Sequence, residues 1–237
     1  MLEMLQSVTI GNKICLLHTN KSQEQPVVVF IQPTARHENK SLADEMISLD
    51  NNIHVPYLFV GIKLDSWAQC LMPWVDEAVS HDEEVGRHAV DTLCYIENHL
   101  LPWLNERVGK VPCVIGGYSL GGLFALWAAY LSNLFNGVAA VSPSVWIKNW
   151  ISFAECHVMK TSSVYLSLGN REEHARNKRM AAVGECIRRQ HELLLDQITS
   201  SHTTLEWNEG GHFNDEATRM ARGFIWSYSC LFNTNTL

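Results

Sequence analysis

Apolar residues in this chain fall into short unbroken runs, separated by longer stretches where they recur every three or four positions. The runs ICLLHT (14–19), PVVVFIQP (26–33), PYLFVGI (56–62) and VPCVIGG (111–117) are rich in β-branched and aromatic residues. Such runs, with little polar alternation, predict strands, and the most apolar of them a strand buried on both faces. GVAAVSPS (137–144) and SSVYLSLGN (162–170) read as strand then turn, and HTTLEWNEGG (202–211) as a last strand and loop. Between the strands, residues 86–108 place Val90, Leu93, Cys94, Ile96, Leu100, Leu101 and Leu104 along one side of a helix. Pro102 is expected to kink that helix near its end. Residues 120–131, 174–196 and 215–230 read as further helices, and 63–85 as a loop or short-helix excursion over the sheet.

Strands that alternate with helices predict an α/β fold, a mostly parallel central sheet with helices on both faces. Functional groups in such sheets gather beyond the carboxyl ends of the strands. One of those ends draws notice at once. The strand 111–117 runs into GGYSLGG (116–122), where Gly116, Gly117, Gly121 and Gly122 leave Ser119 nearly bare of neighbouring side chains. A strand-to-helix turn this tight forces its central residue into strained φ/ψ and lifts the hydroxyl clear of the sheet. A phosphate cradle is the rival reading. The Walker pattern needs Lys-Ser/Thr after its last glycine, whereas Leu123 and Phe124 follow here.

A serine hydroxyl needs a base, and the base needs a carboxylate to fix its tautomer. His212, in NEGGHFND after the last predicted strand, is the candidate base; ten other histidines lie in predicted helices, beside strands or in loops. For the acid, LSLGNREEH puts Glu172 and Glu173 just past a strand; Glu172 is preferred, with Glu173, Asp215 and Glu209 left open. The expected oxyanion donors are the N–H of Leu120, at the start of a helix, and the N–H of Thr34, in the loop of FIQPTARHE (30–38). Trp67, Trp74 and Trp146 are candidates to wall a substrate pocket.

Composition narrows the partners. The 237 residues carry a formal net charge of −7, which argues against nucleic acid or an anionic membrane surface. No apolar stretch approaches the ~20 residues that span a bilayer, and the N-terminus shows no basic segment leading into a long apolar one. Seven cysteines, an odd number without a CxxC pair, predict buried thiols in a reducing compartment. Together these predict a cytoplasmic protein acting on a small molecule, with no metal or organic cofactor.

With these motifs in hand, the chain resembles the putative-esterase family of α/β-hydrolases, which holds esterase D, the siderophore esterases and the mycolyltransferases. GGYSLGGLFAL resembles the family's nucleophile turn, VSPSVW (141–146) its S-P-S-x-W run, LSLGNREE its acid turn and EGGHFND its histidine loop; LMPW (71–74) and LLPWL (100–104) are further landmarks. The resemblance spans roughly residues 26–228. It implies one α/β-hydrolase domain over 1–237 with a minimal cap, ester hydrolysis through an acyl-enzyme, Ser119 as nucleophile, His212 as base and Glu172 as acid. Siderophore esterases often carry an arginine before the L-x-P-W run, where this chain has Ser66 and Trp67. The same machinery serves acyl transfer to another acceptor or thioester cleavage, and the fold also serves as a non-catalytic binding module.

Overall fold

The computed structural model describes residues 4–35, 39–82 and 84–232. Eight strands form one sheet: β1 (Gln6–Ile10), β2 (Lys13–Thr19), β3 (Val28–Ala35), β4 (Tyr57–Leu64), β5 (Cys113–Tyr118), β6 (Gly137–Val141), β7 (Val164–Gly169) and β8 (Thr203–Asn208), in the order β1-β2-β4-β3-β5-β6-β7-β8. Pairings from β4 through to β8 are parallel, and the hairpin β1–β2 joins the edge at β4 antiparallel. The hairpin closes through Gly11-Asn12, with Gly11 at φ 56°, the left-handed conformation that two-residue hairpin turns demand.

The unbroken apolar runs have a direct cause. Within β3, Val28 and Phe30 face one core while Val29 and Ile31 face another; in β4, Tyr57 and Phe59 oppose Leu58, Val60 and Ile62 in the same way. A strand covered on both faces has no solvent side on which to place polar residues. One face is covered by α1 (Asn39–Asn52) and α9 (Glu216–Phe232), which also pack on each other. The other lies under α3 (Ala89–Tyr95), α4 (Leu101–Val108), α5 (Leu120–Leu131) and α8 (Val183–Leu195), with the short helices α2 (Trp67–Leu71), α6 (Trp150–Cys156) and α7 (Lys178–Ala181) at its margins.

Helix α5 spans the expected residues. The helix expected over 86–108 is instead two helices joined by a wide turn of π-type at Ile96–Leu100. Pro102, which has no N–H to give to the Asn98 carbonyl one turn back, follows that turn. The helix expected over 174–196 is also broken. Asn177 Oδ1 accepts from the N–H groups of Arg179 and Met180 and so caps α7, and α8 starts afresh at Val183. Strand β3 runs on to Ala35, which places Thr34 inside the strand, and residues 36–38 of the loop expected there lie outside the described residues. Among the described residues no helix is long and apolar enough to cross a membrane.

All seven cysteines are free, but they are not uniformly buried: Cys15 and Cys113 are, whereas Cys94 and Cys156 are exposed. Burial raises the thiol of Cys15 and pushes that of Cys113 up to about 12. In the native protein at pH 8, iodoacetamide is therefore expected to alkylate Cys94 and Cys156 first and to leave Cys15 and Cys113 until denaturant is added. Mass mapping that finds Cys113 labelled as fast as Cys94 would contradict the packing of β5.

Candidate active site

Strand order reverses around β3: the chain leaves it for β4 on one side and returns to β5 on the other. Loops leaving such a switch point diverge and open a crevice beyond the strand ends. Ser119 stands there, between β5 and α5, at φ 58° and ψ −118°. A non-glycine residue held in that region costs on the order of 1–3 kcal/mol, so its surroundings must fix it. They do so through three hydrogen bonds. Ser119 N–H donates to Val141 O at 3.0 Å, and its carbonyl accepts from Leu123 N–H and Ser144 N–H, both at 3.1 Å.

The glycines are steric necessities. A Cβ on Gly117 would lie 2.3 Å from the Gly121 carbonyl carbon, and one on Gly122 would lie 2.9 Å from Gly117 O. The strand end and the first helical turn thus touch backbone to backbone. The N–H groups of Leu120, Gly121 and Gly122 open α5, where they have no acceptor within the helix.

His212 Nε2 lies 3.1 Å from Ser119 Oγ, and His212 Nδ1 lies 2.7 Å from Glu172 Oε2. Burial alone would raise the carboxyl of Glu172; hydrogen bonds from His212, Ser142 and Gly169 N–H outweigh it and hold the group below the usual carboxylate range. An ionised carboxylate only accepts. Nδ1 of His212 therefore carries a proton, and in the neutral ring the lone pair of Nε2 faces the serine hydroxyl.

The loops that carry acid and histidine are tied to each other. Arg171 N–H donates to Gly210 O at 3.0 Å, Gly210 N–H to Asn170 Oδ1 at 3.1 Å, and Asn170 N–H to Asn208 O at 2.8 Å. Gly210 sits at φ 100°, and a Cβ on Gly169 would come within 2.5 Å of its carbonyl oxygen. Glu173 turns the other way, packs against Gly184 and pairs with Arg188 Nη1 at 2.9 Å.

A cavity of about 320 Å³ opens beside these groups, lined by Ser119, His212, Glu172, Ser142, Ser144 and Trp146 together with Arg171, Ala175, Met180, Val183, Gly211 and Phe213. Trp146 is thus part of the wall. Trp67 and Trp74 are not. Trp67 lies against Gly121, and Trp74 stacks on Trp150 and donates Nε1–H to Lys148 O at 2.7 Å, so both hold loops onto the core. Thr34 is not in the wall either; it is buried in β3 and its hydroxyl donates to Ile62 O. Phe213, next to the histidine, is 84% exposed. Among the described residues, no three His, Cys, Asp or Glu side chains converge as metal ligands.

Residues 41–217 match the model of the family described as Putative esterase. The chain belongs to this esterase family. It has the α/β-hydrolase fold, shared with solved structures of low sequence identity. The siderophore hydrolase EstB of Aspergillus nidulans is 17% identical, with a TM-score of 0.70 over 93% of this chain and 92% of its own. An IroE-like serine hydrolase of Shewanella oneidensis is 13% identical, with a TM-score of 0.72 over 94% and 79%. The enterobactin esterase FES of Shigella flexneri is 17% identical, with a TM-score of 0.68 over 96% of this chain and 60% of its own. No curated protein matches the sequence.

Sequence patterning did not reveal what lies beneath the acid in this esterase. Arg219, on α9, is buried and spreads its guanidinium over four partners. Nε–H donates to Asn208 Oδ1 at 2.6 Å and Nη1 to the Tyr118 hydroxyl at 2.8 Å; Nη2 donates to Ser142 Oγ and lies 3.4 Å from Glu172 Oε1. The available signal was an arginine beside Met220 and Ala221 on the apolar face of a helix. Ser142, at φ 43°, donates to Glu172 Oε1 at 2.6 Å, and the Tyr118 hydroxyl donates to His212 O at 2.5 Å.

Replacing Gly117 with Ala in the esterase forces backbone apart at the turn and is expected to destabilise the fold by about 3 kcal/mol or more. Gly109→Ala, at φ 72° with nothing within 4 Å, is expected to cost about 1 kcal/mol. Urea unfolding midpoints compare the two; equal losses would remove the steric account of the turn.

Proposed function

We propose that the esterase hydrolyses a carboxylic ester through an acyl-enzyme formed on Ser119, with His212 as general base and acid and Glu172 as the group that orients it. The observation that carries this reading is the unbroken run of hydrogen bonds from Ser119 Oγ through both ring nitrogens of His212 to Glu172, beside one cavity. Ser119 Oγ attacks the ester carbonyl carbon while its proton passes to His212 Nε2. The carbonyl oxygen becomes an oxyanion, which the N–H of Leu120 and the positive end of α5 stabilise. Collapse of the intermediate breaks the bond to the alcohol, which leaves with the proton from His212. Water then attacks the acyl-enzyme, again through His212, releasing the acid and restoring the serine hydroxyl.

The cavity supports a substrate class. Trp146, Met180, Val183 and Phe213 suit an apolar or aromatic acyl body, and the Arg171 guanidinium suits an anionic or catechol-bearing one. A siderophore-type ester, of the kind for which the Aspergillus and Shigella proteins are named, combines these features. Free thiols at all seven cysteines support a reducing compartment, the cytoplasm.

A fluorophosphonate probe is expected to label wild-type protein at Ser119. Ser119→Ala is expected to lower kcat against an activated ester by roughly 10⁴-fold to 10⁶-fold. Glu172→Gln is expected to lower kcat by about 10⁴-fold, since an amide no longer fixes the tautomer, whereas Glu173→Gln stays near wild type because its ion pair is at the surface. Well-folded Ser119→Ala with parental activity would eliminate the nucleophile assignment. A panel of esters graded by acyl length and charge, including a catecholate trilactone, tests the substrate class; a preference for short, uncharged acyl groups would remove the siderophore reading.

A further inference from the structure

The buried guanidinium of Arg219 offers only donors, and this has a consequence for the two hydroxyls it meets. Nη1 fills an acceptor site on the Tyr118 oxygen, so the Tyr118 proton is turned outward, to His212 O at 2.5 Å. Nη2 does the same to Ser142 Oγ, so the Ser142 proton is turned to Glu172 Oε1 at 2.6 Å. A hydroxyl is otherwise free to rotate between donor and acceptor roles. Both hydroxyls are poor places to lose a proton: burial pushes Tyr118 up to about 12, and a serine hydroxyl does not ionise near neutrality. With Nε–H on Asn208, at the end of β8, one cation thus reaches the strand under the histidine loop, the backbone of the histidine itself and the carboxylate that faces it.

We propose that Arg219 is a positioning residue, which sets the direction of two hydroxyl protons and through them fixes His212 from two sides: its backbone, by way of Tyr118, and its carboxylate partner Glu172, by way of Ser142. This rests on the acyl-enzyme reading above and adds a requirement to it. Arg219 is set to touch neither substrate nor the reacting atoms; it acts on the alignment of the imidazole between Glu172 and Ser119. Misalignment by an ångström or less slows proton transfer while leaving the cavity wall unchanged. The effect therefore falls on kcat rather than on KM. Among the described residues, the charged and titratable groups around the site include His212, Glu172 and Arg219 themselves, Tyr118, Arg171 in the cavity wall and Glu216 on α9.

The test uses full-length protein and an activated ester. Tyr118→Phe and Ser142→Ala each remove one relay hydroxyl and little else. Each is expected to lower kcat, and the rate of fluorophosphonate labelling at Ser119, by roughly 10-fold to 100-fold; KM stays near wild type in Tyr118→Phe, whereas Ser142 also lines the cavity and its variant is read on kcat alone. Arg219→Met is expected to lose at least as much as either, and Arg219→Lys, which can reach only part of the set, to fall between. The decisive comparison is the effect of Ser142→Ala in the wild-type and Arg219→Met backgrounds: a hydroxyl whose direction depends on Arg219 costs little more once Arg219 is gone. Should Arg219→Met not fold, the same cycle is run with Arg219→Lys, and Tyr118→Phe stands by itself. Equal losses from Ser142→Ala in both backgrounds, or relay variants that keep wild-type kcat in a protein whose Ser119 is labelled, would overturn the proposal and leave the acyl-enzyme reading intact. Wild-type protein that resists the probe would instead remove that reading, and this proposal with it.

Discussion

Backbone meets backbone where β5 turns into α5, and the site depends on that contact. A Cβ on Gly117 would run into the backbone of Gly121, and one on Gly122 into the carbonyl oxygen of Gly117, so neither the strand end nor the helix start has room for a side chain there. Only this closeness lets the chain reverse within one residue. That residue takes the strain, at φ 58°, and three main-chain hydrogen bonds hold it there. The large buried helix α5, whose residues from Leu120 to Tyr130 are all in the core, anchors one side of the bend; the sheet anchors the other. Local strain is tolerable because the packing around it is extensive.

Beneath the bend the physics changes from packing to electrostatics. Glu172 and Arg219 are opposite charges taken out of water, an arrangement that is costly unless every donor and acceptor is matched. Here the matching is nearly complete. The carboxylate receives an imidazole, a serine hydroxyl, a main-chain N–H and the edge of a guanidinium; the guanidinium in turn is spent on an amide oxygen, two hydroxyls and the carboxylate. The result is a charged pair that fixes direction rather than one that adds much stability.

The parts legible in the sequence are those governed by local rules. The buried strands β3, β4 and β5 were legible because two-sided burial leaves an unbroken apolar run, and α5 because its residues are nearly all apolar between a glycine turn and a polar exit. Ser119, Glu172 and His212 were legible as candidates because each follows a strand. Other elements were missed for physical reasons. β1 is a five-residue edge strand; α1 carries only Leu42, Met46 and Leu49 at helical spacing, a sparse apolar stripe in an otherwise polar stretch; α2 and α6 are too short for a period to emerge. Arg219, Ser142 and Tyr118 form a network only once α9, the β6 exit and the β5 end are folded together, and no spacing along the chain encodes that. Trp67 and Trp74 illustrate the converse, since an aromatic near a site in sequence still has a whole core to pack against.

The ties between the loops after β7 and β8 have a wider reach. Because Asn170 and Arg171 are bonded to the main chain of Asn208 and Gly210, acid and imidazole are carried on a single rigid bracket built from two neighbouring strand ends. The segment between those strands, with Ala175, Met180 and Val183 facing the cavity, is outside the bracket. Insertions, deletions and substitutions there can reshape the cavity without disturbing the spacing of Glu172 and His212. Such a layout uncouples the shape of the cavity from the geometry of the side chains held beside it.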